Sequence, residues 1–469
     1  MKTHPAILIL IVTWNKKKYV LELLRSLSDL SYPGDCLDVV VVDNASTDHT
    51  VEEIKNQYPD VHLLVNDENL GGTGGFNTGL ANAFKQPAQQ YEYLWLLDND
   101  VVVHRDALTE LVAILDNVPE IAVAGSTMMQ LTHPWQINEM GAFVDIHNGN
   151  LILNRHMEVV ESMRGKSVQQ LLTGSIDLSR ELEDCQSWME VDYVAAASLL
   201  IRSSVAEAAG LWDDFFIHFD DVEWCLRIRK MGYGIVASAR SLIWHLPGIN
   251  KVPTWVMYYD IRNVLYLLEK HGGAAGITGA EKRIRKKILY YTLLGKEDMA
   301  GLIKAGLDDF HERIYGKKEI TLDSCYYDLE DVEKIVSNPE ICTVLIPWTV
   351  HLQASNLQRI FAKVLRERVD FQVNYLLPLC LEPDMLSAQL PGEKRIILPS
   401  SWPLRLWYYI SRIRKYDLVV QSDYRPILPL AWLGKKLLYV NNEFVSLRKT
   451  PRLNIVFSQV KSLLWSKKS

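Results

Sequence analysis

The sequence predicts an α/β protein: a mostly parallel sheet with helices on both faces, then a helical extension, then a smaller C-terminal α/β domain. Three observations carry this. Short apolar runs alternate with helical periodicity over the first hundred residues. The runs are near-continuous rather than alternating, as strands buried on both faces must be. Polar motifs fall directly after the runs, where open parallel sheets bind ligands.

In order, Ile7 to Thr13 reads as a buried strand, and Tyr19, Leu23, Leu24 and Leu27 recur at helical spacing. Val39 to Val42 is the second strand, followed by Asp-Asn-Ala-Ser-Thr-Asp, a turn with helix-capping chemistry. Val51 and Ile54 open a helix, Val61 to Val65 is a third strand and Tyr93 to Leu97 a fourth. From Thr127 to about Met189 the pattern weakens, and Gly141 to Asn150 is turn-rich; long loops in such enzymes often carry substrate contacts. Regular structure resumes at Val191. Val256 to about Tyr315 reads as helices. A second alternation then follows, with strands at Thr343–Ile346, Phe371–Leu377, Arg395–Leu398, Leu418–Val420 and Leu437–Val440. The expected domains are 1–250, 251–318 and 319–469.

The 469 residues correspond to two or three domains at about 150 each. A hydrophobic share of 48% with 23% charged residues excludes disorder, collagen and coiled coil for the chain as a whole. Net charge is −7, which offers no basic field for nucleic acid. Six scattered cysteines without a Cys-x-x-Cys pair fit a reducing compartment and argue against a zinc ribbon. No apolar run approaches the roughly 18 residues of a membrane span, and the N-terminus lacks a signal-peptide cleavage site. The expectation is a cytoplasmic protein.

Four motifs carry chemistry. Asp98-Asn99-Asp100 ends the fourth strand; paired carboxylates there suit a hard divalent cation that also binds phosphate, although surface turns contain Asp-x-Asp too. Asn69 to Gly79 places four glycines in five positions ahead of a helix, either for close approach of a ligand or as a flexible turn. Asp220-Asp221 opens a helix among Phe215, Phe216, Phe219 and Trp224. Such acids often just complement a helix dipole, but a carboxylate in an apolar pocket gains proton affinity and can act as a general base. His245 ends a strand-like segment and, taken alone, reads as a core or loop histidine.

Together with Val12-Thr13-Trp14-Asn15 and Val42 to Asp48, these motifs occur in the order seen in family 2 glycosyltransferases. The chain resembles most the bacterial rhamnosyltransferase and galactofuranosyltransferase branch, to which Tyr258-Tyr259-Asp260-Ile261-Arg262-Asn263 is also similar. The resemblance covers residues 1 to about 315. It implies a GT-A fold and inverting transfer from a nucleoside-diphosphate sugar. Carried over, Thr13, Asn15, Asp43 and Asn44 would hold base and ribose, and Asn69, Gly71, Gly72 and Asn77 would line the donor. Asp98, Asp100 and His245 would bind Mn²⁺ or Mg²⁺ on the diphosphate. Asp221 would be the base with Asp220 beside it. The branch often has Glu-Asp, or a third acid, where this chain has Asp220-Asp221 and Asn99, so the division of labour within the pair stays open.

The favoured donor sugars are galactofuranose and rhamnose, and the acceptor is a hydroxyl of a growing, lipid-linked, cell-surface glycan. A nucleotidyltransferase is the alternative enzyme, but its basic Gly-rich signature after the first strand is replaced here by Thr13-Trp14-Asn15. A non-catalytic nucleotide-sugar-binding or scaffold protein is the other alternative. Residues 455–468 place Val456, Val460, Leu463 and Leu464 on one helical face beside lysines, a pattern expected either to touch the inner membrane surface peripherally or to pack as a terminal helix.

Overall fold

The protein is described by a computed structural model, which places residues 4–86, 90–245, 255–320, 326–328, 331–347, 355–377, 394–423, 426–440 and 444–451. The chain divides into two compact units, the first formed by Met1–Ile249, Tyr259–Glu281 and Gly306–Glu319, the second by Asn250–Tyr258, Lys282–Ala305 and Ile320–Ser469.

The first unit begins β1 (Ile7–Thr13), α1 (Lys17–Ser28), β2 (Leu37–Asp43), α2 (Thr50–Gln57), β3 (His62–Val65), α3 (Gly71–Ala83), β4 (Tyr93–Asp98), β5 (Val101–Val103) and α4 (Ala107–Asn117). It continues β6 (Ile121–Gln130), β7 (Ile137–Glu139), β8 (Ala142–Asp145), β9 (Asn150–Leu153), α5 (Val168–Leu171), β10 (Trp188–Glu190), β11 (Leu199–Arg202), α6 (Ser203–Ala209), α7 (Asp220–Lys230) and β12 (Gly234–His245). Helices α8 (Val256–His271), α9 (Gly273–Leu293) and α10 (Glu297–His311) follow. The main sheet runs β10-β12-β6-β11-β4-β1-β2-β3. β4, β1, β2 and β3 are parallel, as are β6 and β12; β11 lies antiparallel between β6 and β4.

Because strand side chains alternate, β1 feeds two cores. Leu8 and Leu10 join Val40, Val42, Leu94 and Leu96 under Phe76 and Leu80 of α3. Ile7, Ile9 and Ile11 join Val41, Trp95 and Leu97 against Val20, Leu23 and Leu24 of α1. Both faces are therefore covered, which is why the strands read as unbroken apolar runs. A Cβ on Gly75 would stand 2.3 Å from a Val12 methyl, so this glycine exists to let α3 lie close on β1.

The second unit contains β13 (Tyr326–Asp328), α11 (Asp331–Val336), β14 (Thr343–Pro347), α12 (Ser355–Glu367), β15 (Gln372–Leu377), β16 (Lys394–Ile397), α13 (Trp402–Ile410), β17 (Tyr416–Ser422), α14 (Leu428–Ala431), β18 (Gly434–Val440) and β19 (Phe444–Lys449). Its sheet order is β13-β19-β18-β17-β14-β15-β16, with β14 to β18 parallel and β19 antiparallel. The chain runs outward from β14 to β16, then returns to β17 on the other side, the doubly wound plan. All five strands expected there are present. The expected terminal amphipathic segment, residues 455–468, lies outside the described residues. Among the described residues no helix is long and apolar enough to cross a membrane.

Candidate active site

Thr13, Asp43 and Asp98 stand at the carboxyl ends of β1, β2 and β4, and His245 at the end of β12. Oxygen or nitrogen ligand atoms of Asp98, Asp100 and His245 all lie within 4.8 Å of one another, and His245 Nε2 stands 3.0 Å from Asp100 Oδ1. Register explains the meeting: His245 pairs with Val101 across β12 and β5, one residue beyond Asp100. Burial, and then the charge of Asp100, push the Asp98 carboxyl up to about 6. Two mutually repelling carboxylates and an imidazole form a hard donor set that a divalent cation fits.

The aspartate pair opens α7. Asp220 Oδ2 accepts from the Thr73 hydroxyl at 2.5 Å, and its Oδ1 accepts from the Asp221 amide. Asp221 accepts from the Ala196 amide at 3.1 Å and from Val222 N at 2.8 Å. Burial and the neighbouring Asp220 push Asp221 up to about 8, so this pair holds a proton far more readily than a surface carboxylate.

The loop before the pair is strained: Phe216, His218 and Phe219 have φ of 68°, 64° and 67°. Three groups hold it. The Asn263 amide donates to the carbonyls of Phe215, Ile217 and His218, and buried Arg262 donates to Phe215 O and Gly316 O. Asp260 takes His218 Nδ1 at 2.8 Å. The Tyr-Tyr-x-x-Arg-Asn segment therefore acts as a clamp on the loop that presents the dyad. Gly71, at φ 73°, meets the same loop, where a Cβ would collide with Phe216 O at 2.0 Å.

Thr13 is buried and accepts from Asn99 Nδ2, which fixes the middle of the Asp-Asn-Asp turn to β1. Asn15 (φ 49°) accepts from Thr47 N at 2.7 Å. Asp43 is fully buried; Oδ1 takes Ser46 N, while Oδ2 has no partner. Such an orphan acceptor calls for a ligand or water. Asn44 bridges Gly71 O and the Asn66 amide, so both ends of its side chain are engaged within the protein. Asn69 caps Gly71 N. Asn77 grips the backbone of Trp212 with both amide atoms, which places it between α3 and the dyad loop. Gly72 has open space around it.

Thr73, Glu139 and Glu223 were not singled out by sequence. Glu139, on β7, is a buried carboxyl pushed up to about 7 by desolvation, and its charge and that of Asp221 both act on Tyr193. It sits in the stretch where the sequence pattern weakens, so no periodicity marks it. Glu223 is fully buried one turn into α7 and binds Arg227 Nη2 at 2.6 Å and His271 Nε2 at 3.2 Å, tying α7 to α8. Burial alone would raise its pKa; these partners and Lys270 outweigh it and hold the carboxyl down to about 2. A folded pKa below the unfolded value of about 4.3 means its stabilisation is present above that pH and lost as pH falls toward 2. Glu223→Gln is expected to lower stability by about 3 kcal/mol at neutral pH. Melting curves across pH should show parent and variant converging in acid.

Residues 8–167 match the family model "Glycosyl transferase family 2". Galactofuranosyltransferase GlfT2 of Mycolicibacterium smegmatis is 22% identical over 64% of this chain and 49% of its own length. Its counterpart in Mycobacterium tuberculosis is 25% identical over 53% and 38%. The probable glycosyltransferase YdaM of Bacillus subtilis is 23% identical over 56% and 54%. The chain thus spans about half the length or less of these relatives. The α/β sheet expected from the resemblance, with a further C-terminal α/β unit, is the architecture observed.

Proposed function

We propose that the protein transfers a sugar, with inversion, from a nucleoside-diphosphate donor to a hydroxyl group of a growing, lipid-linked, cell-surface glycan. Galactofuranose is the favoured sugar, in keeping with two relatives named galactofuranosyltransferases, and rhamnose is the second. The observation that carries the reading is the convergence of Asp98, Asp100 and His245 in a unit that also buries the Asp220–Asp221 pair, whose charges act on Asp98 and are acted on by it. Mn²⁺ or Mg²⁺ held by the three ligands would supply charge neutralisation for the leaving diphosphate.

The remaining work falls to the chain. Asp43, whose buried Oδ2 lacks a protein partner, would accept from the nucleoside once the turn beside it, shaped by Asn15, opens to the donor. Gly71 and Gly72 let backbone approach the donor, while Asn44, Asn69 and Asn77 hold the glycine turn in position. Asp221 takes the proton of the acceptor hydroxyl; its raised proton affinity suits a base that must work near neutral pH. Asp220, pinned by Thr73, supplies the neighbouring charge that keeps it so.

Thermal-shift measurements against a panel of nucleotide sugars, with and without Mn²⁺, test the reading through ligand-linked stabilisation. Stabilisation by UDP-galactofuranose or dTDP-rhamnose that needs the metal supports it; no response to any nucleotide sugar removes it. Asp100→Ala should raise the Mn²⁺ concentration required by more than about tenfold, since even outer partners of metal ligands contribute that much. An unchanged titration would exclude Asp100 as a ligand.

A further inference from the structure

Helix α13 in the second unit is amphipathic the wrong way round for a globular domain. A surface helix normally turns its apolar stripe inward. Here Trp402, Leu406 and Ile410, spaced four apart and hence on one face, are all exposed, and so is Trp407 beside them. The two tryptophans are 73% and 64% exposed. The side facing the unit carries Tyr408 and Tyr409, which join its core, and two arginines. Arg405 donates to Pro399 O and Ser400 O, and the Arg412 guanidinium lies over the Tyr408 ring at 4.1 Å. Ile397 of edge strand β16 and Ile413 just past the helix extend the exposed apolar surface.

Trp402, Leu406, Trp407 and Ile410, four large apolar side chains exposed on one nine-residue helix, mark an interaction site rather than ordinary surface. Charge identifies the occupant. Between Glu393 and Asp417 the chain has six basic residues and no acid, in a protein whose net charge is −7; Lys394, Arg414 and Lys415 of these are exposed, whereas Arg405 and Arg412 pack on the inward side of the helix. Apolar and tryptophan side chains on the exposed face, with lysine and arginine around them, are what an interfacial helix needs: the rings settle at headgroup depth and the cations meet anionic lipid. A second copy docking by the same patch would bring like charges together.

We propose that α13, with its flanking residues from Lys394 to Lys415, is a membrane-docking element that lays the exposed apolar face into an anionic lipid surface. It is distinct from residues 455–468, and it does not depend on the transferase reading, because the readout is lipid binding.

The experiment is co-sedimentation of the full chain with vesicles of phosphatidylglycerol and phosphatidylcholine, or of phosphatidylcholine alone. Three forms are compared with the parent: Trp402→Ser with Trp407→Ser, Lys394→Gln with Lys415→Gln (both exposed), and a chain truncated before Ile455. The parent should bind anionic vesicles, with a blue shift of tryptophan emission and weakening by salt. The tryptophan pair and the charge pair should each reduce partitioning by about tenfold or more, with unchanged circular dichroism and sedimentation velocity. Because both substituted tryptophans are exposed, the fold should survive. Equal binding by parent and the tryptophan variant overturns the proposal, as does binding lost only on truncation. Equal affinity for both vesicle types overturns the lipid-charge argument. A parent dimer that the tryptophan variant converts to monomer would assign the surface to a second copy instead.

Discussion

Replacing Asp221 by Asn is expected to lower kcat by roughly 10²–10⁴-fold, the range for loss of a positioned general base, while donor affinity stays within about threefold. The substitution leaves the acceptor proton without a destination yet keeps side-chain shape and an oxygen able to take the Ala196 amide. Stability should move the other way. A carboxyl raised to about 8 in the folded protein, against about 3.9 unfolded, binds more protons when folded throughout that interval. Its contribution to stability therefore falls as pH rises from about 4 to 8. The Asn variant escapes that penalty, so its melting temperature relative to the parent should rise with pH across the same window. For the parent enzyme the acid limb of kcat/KM should lie well above the ordinary carboxylate range, as a property of the Asp220–Asp221 pair taken together. Near-normal turnover by Asp221→Asn, in a pH–rate series run beside melting curves, would defeat the assignment of the base.

Arg262→Met should cost about 3–5 kcal/mol and lower activity with it, although Arg262 is no catalytic residue. Its guanidinium is completely buried, bonded to Phe215 O, Gly316 O and Asn263 Oδ1, and stacked over Tyr259 at 5.1 Å. Methionine fills similar volume but leaves two buried carbonyls without that donor. The Phe215 carbonyl belongs to the backbone that holds three left-handed residues before the dyad, so relief of strain there would displace Asp220 and Asp221. The expected signature is a lower melting temperature with kcat reduced more than donor affinity. Lysine should rescue poorly, because an ammonium cannot reproduce the planar fork. A variant that melts normally would show that the loop holds itself.

The strands were legible in the sequence because burial on both faces writes an unbroken apolar run, as in Ile7 to Ile11 and Tyr93 to Leu97. The ends of those runs also pointed to Asp43, Asp98 and Asp100, since sheet topology puts strand ends at the cleft. What the sequence did not disclose are relations across long separations. Thr73 bonds to Asp220 across 147 residues and Asn77 to Trp212 across 135, and nothing local to either residue announces it. The same holds for the Asn44 amide, which donates to Gly71 O across 27 residues. Trp402, Leu406 and Ile410 of α13 recur at helical spacing, but periodicity gives a stripe without saying which way it points.

The contact between Gly71 and Phe216 has a practical meaning for altering donor choice. The glycine-rich start of α3 is not freely mutable: a side chain at Gly71 meets the carbonyl of Phe216 in the loop before Asp220, and one at Gly75 meets Val12 of the central strand. Gly72 alone of these three has room for a side chain without displacing a neighbour. A saturation library at position 72, read by donor selectivity and melting temperature, therefore tests the donor-lining proposal without displacing the loop before Asp220.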